Sequence, residues 1–113
     1  MSDAPHLIIK FNMAVIKNVP LDKNEISIGR KPGNDVVLDN QAISGTHCKI
    51  RKEKDDFILI DMDSTNGTFI NGRKITRETL KPKDQIRIAR YSIDFIWDAK
   101  EKEAGYHAIW ALQ

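Results

Sequence analysis

The segment DFILIDMDSTNGTFINGRKI, residues 56–75, decides the fold. Its first part runs Phe57, Ile58, Leu59, Ile60 without alternation, the pattern of a central strand covered on both faces. Its second part is made of turns. Asn66-Gly67 and Asn71-Gly72 stand five residues apart, with small hydroxyl residues around the first pair. Asn71-Gly72 lies between TFI (68–70) and RKI (73–75), the strongest short-range hairpin signal.

Working outward, the same grammar continues in both directions. HLIIKF (6–11), AVIKNV (14–19), EISIG (25–29), DVVL (35–38) and HCKIRKE (47–53) are short runs rich in β-branched residues. EISIG places Ile26 and Ile28 on one face. HCKIRKE sends Cys48 and Ile50 inward and Lys49 and Arg51 outward. QIRI (85–88) and SIDFIW (92–97) flank a second hairpin turn. Turns recur about every ten residues, the spacing of an all-β sandwich or barrel.

Residues 98–113, DAKEKEAGYHAIWALQ, break this pattern. They open with good helix formers, and Gly105 weakens a continuous helix. Tyr106, Ile109 and Trp110 fall on one helical face. The expected division is a domain over 1–98 and a tail over 99–113. That tail either packs on the sandwich or contacts a partner or second copy.

Composition bounds the function. The 113 residues are 41% hydrophobic and 30% charged, with net charge +2. That is a globular chain of one-domain size, without the strong basic footprint of a nucleic-acid binder. The lone Cys48 cannot form an internal disulfide, which points to a reducing setting. No apolar run approaches the roughly 18 residues of a spanning helix, and no signal peptide is visible. A soluble cytoplasmic protein is expected, with no membrane and no nucleic-acid partner.

Catalytic and metal chemistry finds little support. Ser44, His47 and Cys48 lie close in sequence, but no acidic third member is in view. Cys48 points into the core, where a thiol is inert. His6, His47 and His107 lack ligand spacing. DMDSTNG puts Asp61 and Asp63 at the first and third positions of a calcium loop. Its sixth position is Asn66 rather than Gly, and its twelfth is Gly72 rather than Glu. Phosphate-loop and dinucleotide glycine motifs are absent. No enzyme activity, cofactor or metal is expected. What remains is a set of donors suited to an anion at loop tips: an arginine, hydroxyls, asparagines and turn glycines. Turns are built from the same residues without any ligand.

In this order and spacing, the residues resemble the forkhead-associated (FHA) domain. The resemblance runs through Gly29-Arg30, Asn34-Asp35, Ser44 and His47, then Asp61, Ser64, Asn66-Gly67-Thr68 and Asn71-Gly72. It ends in the hairpin of LKPKDQIRIARYSIDFIW, and covers roughly residues 7–97. It implies an eleven-stranded two-sheet β-sandwich with a phosphothreonine-binding face at one end. By that analogy Arg30, Ser44 and Thr65 contact the phosphate, with Thr46 and Lys31 beside them. Asn66 holds the peptide backbone. His47 braces the binding loops with its ring, Gly29, Gly67 and Gly72 allow the backbone turns at the site, and Asn71 holds a neighbouring loop.

The implied function is a non-catalytic adaptor that docks on a partner phosphorylated by a Ser/Thr kinase. Threonines occur at 46, 65, 68, 76 and 79 only, so the ligand is expected in trans. The other reading is an assembly protein with weak or no phosphate binding, self-associating through Tyr106, Ile109 and Trp110. Three positions depart from the family pattern. Gly45 follows Ser44 where Arg, Asn or Lys is common, which is expected to remove a contact and loosen the loop. Ala89 stands where Gly is frequent, and Lys83-Asp84 where Gly-Asp is.

Overall fold

The computed structural model describes residues 5–97. The expected division at residue 98, the tail, and its contacts through Tyr106, Ile109 and Trp110 lie outside the described residues.

Eleven strands follow in order: β1 (His6–Phe11), β2 (Ala14–Pro20), β3 (Glu25–Gly29), β4 (Val36–Val37), β5 (Cys48–Glu53), β6 (Asp56–Asp61), β7 (Thr68–Ile70), β8 (Arg73–Ile75), β9 (Arg77–Thr79), β10 (Gln85–Ile88) and β11 (Tyr91–Ile96). They form two sheets, ordered β2-β1-β11-β10-β7-β8 and β4-β3-β5-β6-β9. β3 and β4 pair in parallel, and the other recorded pairs are antiparallel. This is the eleven-stranded sandwich that the resemblance implied.

Alternation builds the core. Leu7, Ile9, Ile86, Ile88, Ile93 and Phe95 come from the first sheet. Ile26, Ile28, Cys48, Ile50 and Leu59 come from the second, and all are buried. Removing this apolar area from water is the main stabilising term. β6 is an interior strand between β5 and β9, as its apolar run predicts. On its outer face Ile58 sits between Arg51 and Thr79, and Ile60 between Lys49 and Arg77. Ion pairs tie that roof together: Lys49–Glu25 at 2.9 Å, Arg51–Glu25 at 3.4 Å and Arg77–Glu53 at 2.9 Å. The long aliphatic stems shield the isoleucines while their charged heads stay wet.

Register decides which loops meet. Ile28, Cys48 and Asp61 stand in one row across the second sheet. The segments 30–35, 38–47 and 62–67 therefore leave the sandwich at the same end. In the first sheet, β7 starts from that end at Thr68, and Arg87 faces Phe69. β10 thus runs back toward it, and Tyr91 facing Phe11 brings the turns at 89–90 and 12–13 to the same rim.

Candidate functional site

The rim is a set of loops cross-braced by a few polar side chains. His47 is the central brace and is fully buried. Its Nδ1 accepts the Ser44 N–H at 3.2 Å, which leaves Nε2–H to donate to the Gly67 carbonyl at 2.9 Å. One ring thus ties the β4–β5 loop to the β6–β7 loop with both nitrogens engaged. A side chain used in this way supports the site and is not a free base.

Ser44 stands beside this brace. Its Oγ accepts the Thr65 N–H at 2.9 Å, and its carbonyl accepts the Arg30 N–H at 3.0 Å. Arg30, Ser44 and Thr65, which the sequence spreads over 36 positions, are therefore linked by two hydrogen bonds. The Ser44 hydroxyl proton has no acceptor among the described residues. Arg30 is exposed and has no carboxylate partner among them. Asn66 Nδ2 donates to the Ala42 carbonyl at 2.9 Å, which ties the loops a second time. Its carbonyl oxygen faces no donor among the described residues.

Other residues hold this arrangement in place. Ile43, buried beside Ser44, pins the β4–β5 loop to the core. Asn40 shapes the same loop by accepting the Ala42 N–H at 2.9 Å, an Asx turn. Gly29 is required by close approach: a Cβ there would lie 2.2 Å from the Gly45 carbonyl oxygen. Gly67 takes φ +92°, a left-handed conformation that suits glycine.

The sequence reading missed two braces. Asn34 Nδ2 donates to the carbonyls of Lys31 at 2.8 Å and Gly45 at 2.6 Å, joining two loops. Asp61 accepts from Ser64 N–H at 3.1 Å, Ser64 Oγ at 2.5 Å and Thr68 Oγ1 at 2.7 Å. Burial pushes this carboxyl up, but the Ser64 and Thr68 hydroxyls and the Ser64 N–H outweigh it and hold the group below its usual range. The spacing Asp61-x-x-Ser64 is a turn signal that could have revealed this staple.

Several expected positions need correction. Asn71 and Gly72 do not belong to the rim. β7 runs away from the rim, so their hairpin turn lies at the opposite end. The expected roles hold there: Asn71 holds a neighbouring loop by donating to Asp84 at 2.9 Å and accepting the Gln85 N–H at 3.0 Å, and Gly72 makes the turn at φ +87°. Nor does Gly45 loosen its loop, because its carbonyl accepts from both Lys31 N–H at 3.2 Å and Asn34. Thr46 and Lys31 are not among the corrected positions; they line a groove beside the rim. Cys48 is buried as expected, and burial, helped by the nearby Asp61 charge, pushes its thiol up.

A two-sheet sandwich with an arginine, hydroxyls and loop N–H groups gathered at one end defines a scaffold for recognition at a loop rim. The chain belongs to the FHA-domain family, whose model matches residues 26–89. It is 31% identical over 88 residues to the glycogen accumulation regulator GarA of Mycolicibacterium smegmatis, spanning 78% of this chain and 56% of that one. It is 31% identical over 91 residues to the oxoglutarate dehydrogenase inhibitor of Corynebacterium diphtheriae, spanning 74% of this chain and 64% of the inhibitor. These relatives are named as a regulator and an inhibitor. Mycobacterium tuberculosis EmbR, solved in complex with a low-affinity phosphopeptide, superposes with a TM-score of 0.78 at 26% identity. That match covers 86% of this chain and 25% of EmbR. The chain spans about half the length of the curated relatives it matches. No helix among the described residues is long and apolar enough to cross a membrane.

Proposed function

We propose that this chain is a non-catalytic phosphothreonine-binding module that docks on a partner phosphorylated by a Ser/Thr kinase. The observation that carries the reading is the linkage of Arg30, Ser44 and Thr65 through two hydrogen bonds at one exposed rim. Arg30 supplies the positive fork for a group carrying nearly two negative charges and three acceptor oxygens. The Ser44 hydroxyl, turned by the Thr65 N–H, donates to the same phosphate, and the Thr65 hydroxyl adds a contact. Asn66 offers its carbonyl to a peptide N–H while its amide stays on Ala42. The threonine γ-methyl, where buried, adds about 0.8 kcal/mol over serine.

Supply of the ligand by a phosphorylated partner is part of the proposal, and the threonines of residues 1–113 are not its source. Thr68 is buried, and its hydroxyl is committed to Asp61. Thr46, Thr65, Thr76 and Thr79 lie within the sandwich strands and their connections. Few groups bind and the peptide must be ordered, so an affinity of roughly micromolar is expected.

The test is calorimetric titration of a degenerate phosphothreonine peptide library into wild type and Arg30→Ala. Binding that requires both the phosphate and Arg30, and weakens with salt, supports the reading. Equal binding of unphosphorylated peptide, or indifference to Arg30, defeats it.

A further inference from the structure

Gly45 departs from the family pattern, and its surroundings give the departure a use. A Cβ on Gly45 would lie 2.9 Å from Lys31 Cε, 3.1 Å from Cδ and 3.3 Å from Cγ. The aliphatic stem of Lys31 therefore crosses directly over the α-carbon of residue 45. The backbone fixes this register, since Lys31 N–H donates to the Gly45 carbonyl and Asn34 bridges the two carbonyls. Gly45 has no left-handed φ, so no turn demands glycine there.

Lys31 in this position lines a groove of about 400 Å³ with Glu25, Ser27, Asn34, Asp35, Thr46 and Lys49. Both acids of the groove are already neutralised, Asp35 by Lys23 at 2.7 Å and Glu25 by Lys49 at 2.9 Å. Lys31 is the charged lining residue without an ion-pair partner among the described residues. It leaves an uncompensated positive charge next to the rim of Arg30 and Ser44. A peptide held at that rim extends about 3.3 Å per residue, so its neighbouring positions reach the groove.

Resting on the phosphothreonine reading above, we infer that Gly45 is glycine so that Lys31 can cross it, and that Lys31 takes an acidic side chain of the peptide flanking the phosphothreonine. The shared chemistry is an anionic oxygen. A flanking carboxylate is favoured over the phosphate because Arg30, Ser44 and Thr65 do not line the groove of Lys31.

The experiment titrates three short phosphothreonine peptides into wild type, Lys31→Ala, Gly45→Ala and the double variant. One peptide carries Ala at all flanking positions, one carries Glu at the three preceding positions, and one at the three following. An exposed ion pair predicts a preference of about two- to fivefold for one Glu peptide in wild type. Either substitution removes that preference, the double variant loses no more, and affinity for the Ala peptide stays as it was. Equal loss on all three peptides in Lys31→Ala would place the lysine on the phosphate and overturn the inference. A preference that persists in Gly45→Ala would overturn the role of Gly45. Folded wild type that binds none of the three defeats the phosphothreonine reading, and this inference with it.

Discussion

Replacing His47 by Ala tests whether the rim is held together by one buried ring. The ring has no exposed surface, and it satisfies the Ser44 N–H at 3.2 Å and the Gly67 carbonyl at 2.9 Å. Its removal leaves two backbone groups without partners, at about 1–3 kcal/mol each when they stay dry. The cavity adds about 1–2 kcal/mol. A loss of about 4 kcal/mol is expected, a large share of the roughly 5–15 kcal/mol that holds a domain together. Urea unfolding reads it directly, and the melting temperature should fall by about 15 °C or more. The loops carrying Ser44 and Thr65 would then have to be ordered by the ligand, so phosphopeptide affinity should fall at least about tenfold. A loss below about 1 kcal/mol with unchanged affinity would refute the reasoning, since such a site would owe nothing to the brace.

Three further outcomes follow from the same structure. The Asp61 carboxyl is held below its ordinary range, so its contribution to stability is complete above about pH 5 and is lost as pH falls through the folded value. Acid unfolding curves of Asp61→Asn should lack this share of the loss, and an unchanged curve would remove Asp61 from the staple. Native Cys48 should resist iodoacetamide at pH 8 and react once the protein is unfolded, because it is fully buried and its thiol is pushed up; rapid native alkylation would contradict the buried position. Lys83 has φ +76°, a conformation costing a side chain about 1–2 kcal/mol, so Lys83→Gly should raise stability by about 1 kcal/mol after the entropy cost of glycine. A lower melting temperature in that variant would contradict the assigned turn.

The strands were legible because this sheet is simple. Cys48 and Ile50 alternate with Lys49 and Arg51 in burial as they do in sequence, and Asn71-Gly72 turns the β7–β8 hairpin. β9 was not legible. Arg77-Glu78-Thr79 carries no apolar signal, and its strand is defined only by long-range backbone pairing with Ile58, Leu59 and Ile60 of β6. The departures at Lys83 and Ala89 could be seen in the sequence. Their meaning could not, because both residues take a positive φ that glycine would adopt with less strain.

Of the candidate site, the residues alone showed a set of donors at loop tips, and only the family resemblance grouped them. Nothing in spacing brings Ser44 to Thr65, since that contact spans 21 residues and depends on β5 and β6 ending in register. The same long-range pairing sends Asn71-Gly72 to the far end, although they directly follow the rim in sequence. Asn34 and Gly45 were opaque for a related reason. Their contacts join separate loops, and a local pattern records only the turn each residue makes.

The most direct test of the central claim is an amide NMR titration of the chain with a phosphothreonine peptide. Arg30, Ser44 and Thr65 share one ligand in this account, so the N–H signals of residues 30–31, 44–46 and 65–67 should move together along one saturable curve, while those of Asn71 and Gly72 stay still. Shifts scattered over both ends of the sandwich, or confined to one of the three loops, would contradict it.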